Sequence, residues 1–342
     1  MSEMNFSPNL IADLQQMLQY QFMQHAFEAG TMISIMAGVV GYFVVVRRSA
    51  FAAHALSHIG FAGAAGAVVL GVLLPWVTPI YGLLAFTIIG GITMTVLAPR
   101  AAQRDTEIGI VLAFMLGLGV LFISLYTGYA TEAYSILFGE ILGISSSSVL
   151  LTVAAGLGVI LAVSIVYRPL LFSSLDENVA EAKGLPTFWL GVVFMLLLAI
   201  ATSFAVEVVG VLLIFSLMVT PAATALHLAS RPGRVLLISV LIALFSTWVG
   251  LFIAFYTPYP VSFFITAISF SIYLLVRRFH HHLKIGPSKA GEPIDHAQPG
   301  PCAANTVTAN DCHTLVCPTL EANNLKIGTG AVFSHVLFKV VP

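Results

Sequence analysis

The sequence predicts an all-α fold, a polytopic transmembrane helical bundle of about nine spans. Three observations predict it. Of 342 residues, 58% are hydrophobic. Only 8% are Asp, Glu, Lys or Arg, against about 25% in an ordinary soluble domain. The apolar residues come in continuous runs of about 20, the length a helix needs to cross a bilayer. These runs are apolar on every face, unlike the alternating strands of a membrane barrel. Such a sparse charged surface would not keep a soluble chain dissolved, which excludes a cytosolic enzyme and a secreted disulfide scaffold. With 14 Lys+Arg against 15 Asp+Glu, there is no basic surface for nucleic acid.

Residues 1–24 read as an extracytoplasmic or interfacial segment. They carry no Lys or Arg, and no short apolar core before a small-residue cleavage site, so they do not look like a signal peptide. Leu10, Leu14, Met17, Leu18 and Phe22 recur at helical spacing, as in a short helix lying on the outer surface. The spans follow at 26–46, 51–74, 78–98, 107–127, 146–168, 187–205, 208–228, 234–256 and 259–278, within a membrane domain of residues 25–284.

Basic residues orient this path. Arg47 and Arg48 follow the first span, and Arg100 and Arg104 lie between the third and fourth. Arg168 and Lys183 lie between the fifth and sixth, Arg231 and Arg234 between the seventh and eighth, and Arg277, Arg278 and Lys284 after the ninth. Segments 49–99, 105–167, 184–230 and 235–276 have none. All these charges fall on one side of a nine-span path, which the positive-inside rule makes cytoplasmic. The N-terminus is then outside and the C-terminus cytoplasmic. Residues 285–342 turn to Gly, Pro, Asn and Thr with scattered charge and read as a disordered cytoplasmic tail. Cys302, Cys312 and Cys317 all lie there. With His313 they fall short of a paired CxxC zinc pattern.

The second span holds the chemistry. It contains His54 and His58, four residues apart and so about 6 Å apart on one helix face. His58 lies ten residues past Arg48, about 15 Å along the axis and near mid-bilayer. Two neutral imidazoles at this spacing can hold one divalent transition metal. Ionisable side chains at such depth normally face a path or a partner. Ala55 stands where a zinc protease of the HExxH type needs its catalytic Glu, so hydrolysis is excluded. Ala62 through Ala67 are all Ala or Gly, which permits close helix packing or opens a lane beside the histidines. Weaker pathway candidates are Glu207 at the start of the seventh span, Glu140 before the fifth, and His25 and Glu28 at the outer end of the first. Met94 and Met218 are assigned to packing.

Between the fifth and sixth spans lies a polar stretch, 173–186. Ser174 is expected to cap a helix over about 174–184, with Asp176 and Glu177 in its first turn and Gly184 and Pro186 ending it. Such a helix outside the bilayer offers a docking surface to a soluble partner. No GxxxxGK[ST] loop occurs in the chain, so any ATPase is another subunit.

Several ordered stretches carry a resemblance. They are Gly41 through Arg48 followed by Ala55-Leu56-Ser57-His58, then Thr106-Glu107-Ile108-Gly109-Ile110, Leu137 through Ser145, and Ala180 through Gly184. Gly210-Val211-Leu212-Leu213 with Thr220-Pro221-Ala222-Ala223-Thr224-Ala225, and Tyr259-Pro260-Val261-Ser262, complete the series. In this order they resemble the membrane permease subunit of zinc/manganese-type metal ABC importers, over about residues 25–280. The resemblance implies a homodimer in membrane lipid, separate cytoplasmic ATP-binding subunits, an extracytoplasmic metal-binding protein, and no nucleic acid. It implies no permanently bound cofactor; zinc or manganese is the transported ion. It places ATPase coupling on Asp176, Glu177, Ala180, Glu181, Ala182 and Gly184, and carries a metal role onto His58. The family's run commonly begins with Asp where His54 stands here. Replacing a hard carboxylate by an imidazole favours zinc over manganese. A permease for an organic metal chelate of siderophore or cobalamin type, and an ATP-independent metal carrier, are the alternatives.

Overall fold

The computed structural model describes residues 16–17, 19–74, 76–97, 104–125, 139 and 141–284. Among these the regular structure is entirely helical: α1 (Gln21–Val46), α2 (Ala50–Leu73), α3 (Pro79–Leu97), α4 (Arg104–Leu125), α5 (Ser146–Leu175), α6 (Glu177–Ala182), α7 (Thr187–Val209), α8 (Val211–Leu228), α9 (Pro232–Tyr256) and α10 (Val261–Lys284). All but α6 are long and apolar enough to cross a membrane, nine among the described residues. Most of residues 1–24, the tail from 285 and Glu140 lie outside the described residues.

Two helix ends differ from the sequence reading. The fifth span was expected to stop at Arg168, before Pro169. Instead α5 passes through Pro169 and runs on to Leu175. Leu170 and Ser173 are buried there, so packing carries the helix beyond a residue that normally ends one. The sixth and seventh spans meet at a single residue, Gly210, at φ 89° and ψ 161°. Only glycine occupies that region without strain. Glu207 therefore belongs to the last turn of α7 rather than to the start of the seventh span.

The most enclosed helices are α1, α7 and α2, with 78%, 72% and 67% of their apolar windows buried, against 22% for α4 and 17% for α10. Helix α1 packs against α5, α7, α8 and α9, and α2 against α3, α4, α7 and α8. Outward faces carry large apolar side chains, among them Phe114, Leu150, Ile165, Trp248 and Phe263, as hydrocarbon permits.

Without a hydrophobic force between helices in lipid, close approach and polar contacts hold the bundle. A Cβ at Gly41 would overlap the Met218 carbonyl, so α1 and α8 touch backbone to backbone. Gly63 of α2 and Gly82 of α3 approach each other in the same way. Ser34 and Thr247 hydroxyls lie 2.7 Å apart between α1 and α9, and Thr87 and Ser203 hydroxyls 2.6 Å apart between α3 and α7.

The turn from α1 into α2 is a Schellman motif. Ser49 N–H donates to the Val44 carbonyl at 2.8 Å, and Arg48 N–H to Val45 at 3.1 Å. Arg48 takes the left-handed position at φ 54°, where glycine is usual. The two helices are thus joined rigidly at the arginine-bearing end.

Gly41→Leu is expected to prevent recovery of folded protein in detergent, because overpacking of about 1–3 kcal/mol or more falls on a backbone contact. Gly109→Leu, on α4 with open space around it, is expected to leave the melting temperature unchanged or raised. Thermal denaturation of the two variants tests the contrast.

Candidate functional site

Helix α2 sets His54 and His58 on one face, ring centroids 4.6 Å apart and nearly perpendicular at 79°. Phe215 of α8 closes over His54 from the facing helix, centroids 5.0 Å apart. Both histidines are half-buried, while Ala53, Ala55, Leu56 and Ile59 beside them are buried. The His54 Nδ1 is buried and has no hydrogen-bond partner among the described residues. Nearby Ser57 does not satisfy it, since its hydroxyl donates to the His54 backbone carbonyl at 2.7 Å. A buried polar atom left alone costs about 1–3 kcal/mol. This nitrogen therefore calls for a proton partner, a water or a cation, and an imidazole lone pair suits a transition metal.

The small residues after His58 pack rather than open a lane. Gly63 meets α3, Ala62 lies under Gly119 of α4, and Phe122 of α4 covers Gly66. No group of three or more His, Cys, Asp or Glu able to hold a metal occurs among the described residues.

The weaker candidates do not join it. Glu207 stands in the last turn of α7, one carboxylate oxygen buried and unpartnered among the described residues. His25 Nε2 lies 3.3 Å from the Ser146 hydroxyl at the start of α5. Glu28 is exposed on α1. Met94 and Met218 are buried in the core, as their packing assignment expects.

The polar stretch forms α6, shorter than expected and capped by a different residue. Asp176, not Ser174, is the N-cap, its Oδ1 accepting from Val179 N–H at 3.0 Å. Ser174 belongs to the last turn of α5, where its hydroxyl donates to the Leu170 carbonyl. Continuation of α5 is what displaces the cap by two positions. Glu177 is in the first turn of α6. Ala180 is fully buried and anchors the helix. Gly184 ends it at φ 79°, with Leu185 N–H bonded to the Ala180 carbonyl at 3.1 Å. Asp176, Val179, Glu181, Ala182 and Lys183 are exposed.

One residue used in the sequence only to orient the chain has a larger place. Arg47 Nη1 donates to Ser173 Oγ at 3.1 Å and to Ser174 Oγ at 3.4 Å. Its guanidinium lies 5.1 Å from the Phe194 ring centroid on α7. Nothing in the local sequence connects residue 47 with residues 173 and 174.

Asp176→Ala removes the α6 cap, worth about 1 kcal/mol. Amide exchange across 177–182 is expected to quicken by about fivefold, with α5 unaffected. Hydrogen-exchange mass spectrometry measures this directly.

The chain matches the ABC 3 transport family over residues 19–280, which takes in nearly all of the nine crossing helices. It is 30% identical over 71% of its length to the manganese transport system membrane protein MntC of Halalkalibacterium halodurans, covering 82% of that protein. It is 31% identical over 69% of its length to the manganese import system permease protein ScaB of Streptococcus parasanguinis, covering 83% of it. Among solved structures, PsaBC from Streptococcus pneumoniae in complex with Fab superposes with a TM-score of 0.71 at 26% identity, over 82% of this chain and 100% of that one. The chain belongs to the ABC 3 transport family, as a multi-pass permease subunit of the cell membrane and not itself an enzyme.

Proposed function

We propose that the chain is the permease subunit of an ATP-driven importer that moves a divalent transition metal across the cytoplasmic membrane. The observation that carries this is the His54 Nδ1 beside His58, buried and without a hydrogen-bond partner among the described residues. A pair of imidazoles inside an apolar helix can take a partly dehydrated cation from one side and release it to the other. Two neutral ligands bind weakly enough for release, which transport requires.

Donor chemistry favours zinc. Imidazole suits zinc, whereas carboxylate, carbonyl and water suit manganese. Manganese is the second reading, supported by the names of the relatives MntC and ScaB. On this reading the chain works as a homodimer around a shared path. An extracytoplasmic binding protein delivers the ion, and separate ATPase subunits dock on α6 through Asp176, Glu177, Glu181, Ala182 and Gly184, with the buried Ala180 anchoring the helix. The arginine-bearing end faces the cytoplasm, as the positive-inside rule assigns. Glu207, with a buried oxygen that has no partner among the described residues, is a candidate cation contact nearer the outer side.

Cells with and without the gene, grown under metal limitation, are compared for manganese, iron, zinc, cobalt, nickel and copper by mass spectrometry. A deficit confined to zinc is expected. A deficit confined to manganese keeps the importer and overturns the donor argument, and no deficit at all turns the reading to an organic chelate. His58→Ala is expected to lower metal uptake by at least about tenfold with the folded dimer retained, since each lost ligand contact is worth 1.4 kcal/mol or more. Normal uptake by that variant would sink the histidine path. Glu181→Arg is expected to weaken docking, read as loss of co-purifying ATPase subunit.

A further inference from the structure

We propose that Arg47 is a positioning residue that transmits the state of the ATPase-docking helix to the histidine helix. This rests on the reading of α6 as that docking helix. The side chain bridges two chain segments that are far apart in sequence but each one short link from a functional element.

On one side, Arg47 holds Ser173 and Ser174 in the last turn of α5. Both hydroxyls donate their single proton to the Leu170 carbonyl. Their lone pairs are therefore the groups left to accept from the guanidinium. A single residue, Asp176, then separates α5 from α6, so a displacement of α6 reaches the two serines with little slack. On the other side, Arg47 is the C-cap of α1. The Schellman turn beyond it leads into α2 at Ala50, four residues before His54. The turn is held by the Ser49 and Arg48 N–H bonds, and His54 lies about one helical turn past the start of α2.

One nitrogen, Nη1, meets both hydroxyls, while the guanidinium carbon lies over the Phe194 ring of α7, a cation–π contact. Arg47 also stands at the C-terminal ends of both α1 and α5, where the orphan carbonyls favour a cation. Ser173 is buried and Arg47 is partly so, so the contact lies beneath the docking surface rather than on it.

The test uses the complete transporter, permease with its ATPase subunits, in proteoliposomes supplied with zinc or manganese on the binding protein. Uptake and phosphate release are measured together. Arg47→Met keeps much of the apolar stem but loses the donors, and a Ser173→Ala/Ser174→Ala double variant removes the acceptors from the other side. For both, ATP hydrolysis is expected to continue and uptake per ATP to fall by at least about tenfold, within the usual range of coupling free energies. ATPase subunits are expected to co-purify as before. Uptake per ATP unchanged in both variants overturns the proposal. So does a parallel fall of uptake and hydrolysis, which marks a static clamp, or loss of co-purification, which marks a docking contact. Failure of the underlying reading shows elsewhere, as ATPase binding that is indifferent to Glu181→Arg.

Discussion

In hydrocarbon no backbone N–H or carbonyl can be left unpaired, and most of this molecule follows from that constraint. Among the described residues the crossing segments are all helices, and two of the turns between them use special backbone positions. Gly210 turns α7 into α8 in one residue, at a backbone angle closed to other side chains. The turn from α1 to α2 satisfies its freed carbonyls with two N–H groups, at the cost of holding Arg48 in a left-handed position. Pro169 is tolerated inside α5 because neighbouring packing continues past it.

The same constraint sharpens the meaning of the polar atoms inside. Several serine and threonine hydroxyls find carbonyls or one another between helices, whereas those of Thr152, Thr202, Ser246 and Ser269 are buried without a partner among the described residues. The His54 Nδ1 is also without one among those residues, and unlike a hydroxyl it offers an imidazole lone pair suited to a transition metal. Its two close neighbours are rings, His58 and Phe215, which shape the space but offer it no hydrogen bond from Phe215. A site lacking a charged ligand attracts a cation less than a carboxylate would, and it also holds the cation less tightly. For a transport path that is an advantage, because a closed four-ligand site would keep its ion.

Close glycine contacts and the Arg47 contacts hold the bundle in different ways. Gly41 against Met218 and Gly63 against Gly82 bring neighbouring backbones together. The cation at the end of α1 and α5 ties these two helices by hydrogen bonds to Ser173 and Ser174, which are directional.

Sequence alone determined the class and the number of apolar spans, because apolar run length is a one-dimensional property. It also determined the histidine pair, since a four-residue spacing on a helix has one geometric meaning. Tertiary structure decided what spacing cannot express. Helices apolar on every face do not say which face is buried, so the central places of α1 and α7 were unreadable. Packing carried α5 past Arg168 and Pro169, which moved the α6 cap from Ser174 to Asp176. The single-residue joint at Gly210 placed Glu207 on α7. The meeting of Arg47 with Ser173, Ser174 and Phe194 depends on three helices converging at one end of the bundle, and residues more than a hundred positions apart leave no local pattern that announces such a contact.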